Sequence, residues 1–504
     1  MNFPILTLIT FIPVLGMVLV LLIPRENVKA IKWTALLVSL IPLILSIVVW
    51  VTYRPSTAGG MWFEELYEWI PALGVRYHLG VDGISIPMVF LTALLTTLSL
   101  LYSFIVNERP KEFFAFFLLL ETGMIGVFVA LDFFLFYIFW EFSLVPMYFI
   151  IGVWGGPNRE YAAIKFFLYT LVGSLAMLLA ILGIYFSTGA QSFDIIKLAA
   201  LRPFADNWVA QSLAFWAFFL AFAIKVPVWP FHTWLPDAHV EAPTAGSVLL
   251  AGILLKLGCY GFFRILLPIF PEASKQYAPI IAVLGLISIV YGALVAMAQW
   301  DFKKLIAYSS VNHMGYVMLG WAAAAGVTAA TMTDRAIALN GAVFQMFNHG
   351  VITGALFLLV GVIYERSHNR DLAKYGGLGA KVPVYGAFLT VACLASLGLP
   401  TLAGFVSEFS VFRGAFPAYP WVTGLSLLGV VITAAFLLWT LQRILMGPVT
   451  QFAQEHYFAH LTDMDRREVI SLAPLVFLMI LFGLYPGPII DLINNTVMNL
   501  LGKL

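Results

Sequence analysis

Cysteine is almost missing: Cys259 and Cys393 are the only two in 504 residues, and each lies inside an apolar run. That leaves no set of thiols for a disulfide framework, a zinc site or an iron–sulfur cluster. Charge is scarce as well. Charged residues make up 11% of the chain, 27 basic residues nearly balance 26 acidic ones, and no block of like charge occurs. A net charge of +1 argues against a nucleic-acid partner. The sequence also lacks a GxGxxG after a strand, a Walker loop, an HExxH and a CxxC. No means of binding a nicotinamide, ATP or a redox centre is visible in these motifs, so energy has to arrive from partner subunits or an ion gradient.

Hydrophobic residues are abundant, at 62%, with 43 Phe and 14 Trp. That is far from the balance of a soluble domain, and the chain reads as one polytopic, all-α membrane domain over 1–504. With about 20 apolar residues needed per crossing, fourteen transmembrane spans are expected. Their limits are 3–23, 32–53, 84–106, 112–130, 132–153, 160–187, 211–237, 243–268, 277–299, 303–325, 336–364, 383–413, 421–446 and 469–493. The first has no basic residue before it and no small-residue cleavage site, so it reads as a retained helix. With the N-terminus outside, 16 Lys and Arg fall in inner loops, eight in outer loops, and Lys225, Lys256 and Arg264 within spans. That excess satisfies the positive-inside rule and supports an even number of crossings.

The segment Ala163–Tyr185 lies over Ala342–Tyr364 at an offset of 179 residues. Five helices separate the copies, so they run in opposite directions, the inverted arrangement of many secondary transporters. The alternative is chance similarity between ordinary apolar helices. Each half also holds a broken helix. In span seven Lys225 is followed by Pro227, Pro230 and Pro236; in span twelve Gly398, Pro400 and Gly404 precede Glu408. Breaks survive inside a membrane only where protein or a water-filled cavity satisfies the freed carbonyls. The expected organisation is helices 1–3 over 1–111, five-helix repeats over 112–268 and 277–446, and a final helix over 447–504.

Ionisable groups in the middle of spans are the informative residues. An ammonium at the bilayer centre costs about 2.5–3.5 kcal/mol on insertion scales, and such groups mark ion or proton paths. Glu141 and Lys225 lie at similar depth in spans five and seven, which suggests a pair whose loosening gates the next group inward. A static pair that only fixes packing is the alternative. Lys256 has glycines at 252, 258 and 261 around it and no acid within its own helix turns. Desolvation disfavours an ammonium without a counter-charge, the condition for a lysine that carries protons; the alternative is snorkelling to the interface. His313 and His349, each preceded by Asn, lie in adjacent spans and titrate nearest neutrality. They bridge carriers, hydrogen-bond a neighbouring helix, or ligate a haem. Glu408, in the outer half of span twelve, is the exit group or a structural acid. His232, Asp237, His239 and Glu241 cluster where span seven reaches the inner side. Their prolines predict a turn with a polar access or capping role, against metal ligation. Asp132 and Glu121 read as interface residues, and His78–Asp82 as a structural turn before span three.

The run KVPVWPFHTWLPDAHVEAPTAGSVLLAGILLKLGCYG (225–261) resembles the antiporter-like membrane subunits of respiratory complex I, the NADH-quinone oxidoreductases, and is most similar to their M-type (subunit-4-type) branch. FWEFSLVPMY around Glu141, AYSSVNHMGY around His313, FNHG around His349 and GFVSEF around Glu408 extend the resemblance over nearly the whole chain. It implies fourteen helices with two inverted five-helix repeats. The chain ends soon after span fourteen, and Glu408 stands where L- and N-type relatives carry lysine; both features are similar to the M type. The resemblance further implies a modulating pair at Glu141 and Lys225, a central carrier at Lys256, an exit group at Glu408, and a hydrated axis through His313 and His349. Flavin, iron–sulfur clusters and quinone are then expected in partner subunits, with L- and N-type subunits as neighbours in a bacterial inner membrane. A sodium/proton antiporter subunit or a membrane-bound hydrogenase subunit is the alternative.

Overall fold

The computed structural model describes residues 3–54, 60–189 and 192–504. The chain opens with α1 (Ile5–Leu22) and α2 (Val28–Thr52), a hairpin of β1 (Trp62–Ile70) and β2 (Val75–Val81), then α3 (Ser85–Tyr102), α4 (Pro110–Val129), α5 (Phe133–Trp154) and α6 (Arg159–Ser187). A short α7 (Ile195–Leu201) leads to α8 (Trp208–Lys225) and α9 (Trp234–Glu241), the two halves of the first broken span. The next crossing, Thr244–Ile269, consists of α10 (Thr244–Leu249), α11 (Leu255–Gly261) and α12 (Leu267–Ile269), joined by wide π turns at Leu250–Leu254 and Phe262–Leu266. There follow α13 (Pro271–Met297), α14 (Phe302–Ala325), α15 (Met332–Ser367), the broken pair α16 (Pro383–Ser396) and α17 (Ala403–Ala415), and α18 (Pro420–Leu445). The chain finishes with α19 (Gln451–His456), α20 (Arg466–Leu484) and α21 (Gly487–Leu501).

Twelve of these helices are long and apolar enough to cross a membrane. The 24-residue α14, diluted by Lys303, Lys304, Asn312 and His313, and the α16–α17 pair bring the crossings to fourteen. Local chemistry sets their starts. Asn27, Asp132, Asn207 and Asp301 accept hydrogen bonds from first-turn amides, Thr331–Asp334 and Asp465–Glu468 form capping boxes, and Pro110, Pro271, Pro383 and Pro420 occupy first turns.

The last span is shorter than expected. It ends at Leu484, and residues to 493 enter α21 after Tyr485 and Pro486. With Asp491, Asn494 and Asn495, α21 is too polar for lipid. It lies on the outer side instead, where Thr496 Oγ1 accepts from the Gly83 amide at 3.0 Å and Arg202 donates to the Lys503 carbonyl at 3.1 Å. The predicted turn at His78–Asp82 is likewise corrected: His78 belongs to β2 of an antiparallel hairpin. Glu65 of that hairpin caps α1 from a distance, accepting from the Leu6 amide at 2.8 Å.

One device occurs at both faces. Asp132 caps α5 and bridges to Asp194, the cap of α7; Asp301 caps α14 and bridges to Asp371, the cap of the turn Leu372–Lys374. Four crossings precede α5 and nine precede α14, so the two bridges lie on opposite sides, as inverted topology demands.

At the outer bridge, His78 contacts Glu64 (2.6 Å) and Asp194 (3.2 Å). Burial alone depresses the imidazole, but hydrogen bonds to Asp194 and Glu64 outweigh it and the net shift is upward. Asp194 is raised by burial and lowered more strongly by His78 and the Lys197 amide, for a net lowering; nearby Asp132 is pushed up by burial to about 6. A raised histidine stabilises the contact fully below its unfolded value of about 6.5, and loses that contribution as pH climbs through the folded value. A lowered aspartate stabilises it above about 3.9 and loses the contribution as pH falls through the folded value. Rate-corrected hydrogen exchange of β2 and α7 amides is therefore expected to quicken as pH rises past the His78 transition. An unchanged profile in His78→Gln would remove the histidine from that account.

Two crossings, Thr244–Ile269 and Met332–Ser367, are enclosed by other helices along their apolar middle, whereas α2, α18 and α20 are about one-third buried there and lie at the periphery of the chain. The enclosed pair carries Lys256 and His349.

Candidate proton-relay site

Glycines bring the titratable helices together. A side chain at Gly252 would strike Leu95 at 2.4 Å, and one at Gly350 would come within 2.8 Å of the Gly252 carbonyl. The first π turn and α15 therefore cross almost backbone to backbone, beside Lys256 and His349. A Cβ at Gly258 would lie 2.7 Å from the Phe222 carbonyl and 2.9 Å from Lys225 Cβ, so α11 seats directly on the end of α8. Such close approach is what glycine permits.

At the first crossing Lys256, with no exposed surface, places Nζ 2.5 Å from His349 Nδ1 and 2.5 Å from the Ala251 carbonyl, to which it donates. The His349 and His313 ring centres are 5.8 Å apart. His313 Nδ1 then lies 2.9 Å from Glu408 Oε1, and its Nε2 lies 3.1 Å from Ser396 Oγ. Between the two rings is a cavity of about 10 Å³, lined by both histidines, Gln345, Ser396 and Glu408, room for about one water. His349 Nε2 has no protein partner, and a buried ring nitrogen without one calls for water.

The asparagines before each histidine act as struts. Asn312 donates to Thr433 Oγ1 of α18 at 2.7 Å, and Asn348 to the Ala403 carbonyl (2.8 Å) and Ser407 Oγ (3.0 Å) of α17. Gln345 donates to Glu408 Oε1 at 3.3 Å. At the break Gly398 adopts φ +80°, and a side chain there would approach Glu408 Oε2 to 3.3 Å. The path from Lys256 through His349 and His313 to Glu408 is thus held by three helices and the second break.

A sequence profile described as "NADH:quinone oxidoreductase/Mrp antiporter, TM" matches residues 130–434, which include all six of the proposed relay residues. The chain belongs to that family. A relative from Rickettsia prowazekii (strain Madrid E), described as NADH-quinone oxidoreductase subunit M, is 43% identical over 507 residues and covers 100% of both chains. The subunit M of Rhodobacter capsulatus is 44% identical, covering 98% of this chain and 96% of its own. In the solved respiratory complex I from Thermus thermophilus with bound NADH, one chain superposes with a TM-score of 0.88 at 31% identity, covering 99% of each.

Within this member of the family the pair Glu141–Lys225 is not closed. Lys225 ends α8 with Nζ 5.0 Å from the Trp140 ring centre, and Lys225 Nζ and Glu141 Oε1 both lack hydrogen-bond partners. Successive positions on a helix diverge by about 100°. Trp140 presents its ring to Lys225, while Glu141 Oε1 is buried without a hydrogen bond and Glu141 acts on Lys225 from beyond contact distance. An aromatic face thus meets the ammonium, and the Glu141–Lys225 interaction is electrostatic at a distance rather than a contact ion pair.

The cluster at the inner end of span seven disperses, because Trp234–Glu241 is a helix and the expected turn falls at 226–233 instead. Asp237 takes Lys165 of α6 at 2.6 Å; Glu241 Oε2 accepts from the Asn158 amide at 3.0 Å; His232 packs on Tyr291. His239 points inward, stacked on Phe357 at 4.5 Å. No group of three metal-ligating side chains occurs among the described residues.

Three buried features escaped the sequence reading. Glu121 is no interface residue: it lies midway along α4, fully buried, with neither carboxylate oxygen partnered. Arg264 is paired with Asp82, whose Oδ1 also accepts from the Ile84 and Ser85 amides. Lys303, counted among inner-loop residues, is buried and donates to the Ala242 carbonyl. Its only sequence signal is a lysine two residues inside a capped helix start.

Proposed function

We propose that this chain translocates protons as the M-type, antiporter-like membrane subunit of a bacterial inner-membrane NADH-quinone oxidoreductase, with Lys256 as central carrier and Glu408 as exit group. Quinone reduction takes place in other subunits, which hold the flavin, iron–sulfur clusters and quinone, and L- and N-type subunits flank this one. The halves 112–268 and 277–446 each contribute one broken helix to the path. The observation that carries the reading is the contact series from Lys256 Nζ through two histidines to Glu408. Full-length similarity to subunit M relatives supports the assignment of the parent complex.

Moving one charge against 100 mV costs about 2.3 kcal/mol. Adding or removing a single charge near a buried amine acts on the same scale, about 4 kcal/mol at 4 Å in a medium of effective dielectric 20. Rearrangement around Lys225, whose ammonium rests on a ring without a hydrogen bond, is enough to gate the step.

Glu408→Gln keeps the volume and a hydrogen bond to His313 but removes the proton acceptor. In inverted vesicles the variant complex is expected to assemble while donor-driven pumping falls roughly tenfold. Pumping at the wild-type rate would rule out the exit role.

A further inference from the structure

We infer that protons reach Lys256 from the inner face through the cavity beside Lys303, with His239 as the relay between them; this rests on the function proposed above.

A cavity of about 320 Å³ opens at the inner ends of α3, α9, α10, α14 and α15, and its wall includes Val240, Glu241, Lys303, Glu365 and Arg370. It brings both signs of charge to the start of the enclosed Lys256 span. Behind it lies His239, with no exposed surface and with neither ring nitrogen hydrogen-bonded to protein. A buried imidazole presents a donor and an acceptor, and leaving both unmet is costly unless water reaches them. The ring feels the charges of both Lys303 and Lys256, and His349 in turn feels His239. Lys303 itself faces Arg370, Asp301 and Glu241. His239 therefore stands within electrostatic reach both of Lys303 on the cavity wall and of Lys256.

The remaining distance is short. Phe357, under the His239 ring, is eight residues from His349 on α15, about 12 Å along the axis. The buried Thr353 lies midway on the same helical face, at i+4 from His349. A file of about four waters at hydrogen-bond spacing is what the route requires to cover that gap.

Each hop balances. Water at the cavity side delivers a proton to the bare ring nitrogen of His239, forming an N–H bond there. The N–H on the opposite nitrogen breaks and its proton passes to water leading to Lys256. The ring returns neutral as the other tautomer, and a ring flip restores the first.

His239→Phe preserves the stack on Phe357 and removes both nitrogens. In inverted vesicles, with the inner face toward the bath, the assembled complex is expected to lose roughly tenfold in proton uptake. Should that variant fail to assemble, His239→Gln, which keeps hydrogen-bonding capacity but does not titrate, carries the same expectation. Val240→Cys, on the cavity wall, is expected to make uptake sensitive to a membrane-impermeant cationic thiol reagent added to the bath. Cys259 and Cys393 are fully buried, and the same reagent applied to the complex without Val240→Cys gives the background from partner subunits. Wild-type uptake in an assembled His239→Phe or His239→Gln complex, or a labelled Val240→Cys complex at full rate, overturns the inference. If Glu408→Gln abolishes pumping while the His239 variants do not, only this route is lost; if neither affects pumping, the proposed function falls with it.

Discussion

Replacing Lys256 with arginine is expected to stop pumping as completely as replacing it with methionine. Methionine keeps the apolar stem and avoids the cavity that alanine would leave, which for a large core residue costs about 2–5 kcal/mol. Arginine retains the positive charge but does not release its proton under any condition a protein meets. If Lys256 were a fixed charge holding His349 in place, arginine would preserve activity and methionine would not. As a proton carrier, it tolerates neither. Donor-driven acidification of inverted vesicles by both variants is expected to fall by roughly 10- to 100-fold, with amounts of assembled complex near wild type. Near-normal pumping by Lys256→Arg would sink the carrier role.

The largest effect on stability is expected at the outer end of the same crossing. Arg264 and Asp82 are both buried and paired, and Arg264 Nε also donates to the Tyr260 hydroxyl at 3.0 Å. Asp82→Asn keeps an oxygen to cap α3 but leaves the guanidinium uncompensated, a loss of about 3–5 kcal/mol for a buried pair. The variant complex is expected to unfold at clearly lower temperature after detergent extraction. Asp82→Asn combined with Arg264→Leu removes the stranded charge and is expected to recover much of the loss. An unchanged melting temperature in the single variant would show that water reaches Arg264.

Much of the architecture was legible because a bilayer imposes a coarse, length-based rule. About 20 apolar residues make a crossing, so fourteen spans could be counted, and prolines and glycines near Lys225 and Glu408 marked both breaks. The rule failed where lipid contact is not the criterion. At Tyr485 and Pro486 hydropathy falls gradually, and α21 exists as an outer helix only because Gly83 and its neighbours receive it. The β1–β2 hairpin was missed for a similar reason: its residues alternate weakly, and Glu65 ties it to α1, 59 positions away in sequence.

For the site, residue type and depth pointed to Lys256, His313, His349 and Glu408, since ionisable groups deep in apolar spans are rare enough to stand out. Lys303 and Glu121 did not stand out. One follows a helix cap and the other was placed near a span end, and sequence does not reveal which side of a helix is enclosed.

The sequence by itself determined how many times this chain crosses the membrane, where two crossings break, and which of them carry amines, imidazoles and carboxylates, because hydrophobic length and desolvation cost are properties of single segments. Only the tertiary structure decided which of those groups meet. Lys256 touches His349 across 93 residues because two glycines let their helices cross backbone to backbone, while Glu141 and Lys225, at matching depth, act on each other without contact and the Lys225 ammonium rests on the Trp140 ring. Contact depends on the facing of one helix against another, and that facing is set by packing among all fourteen crossings at once.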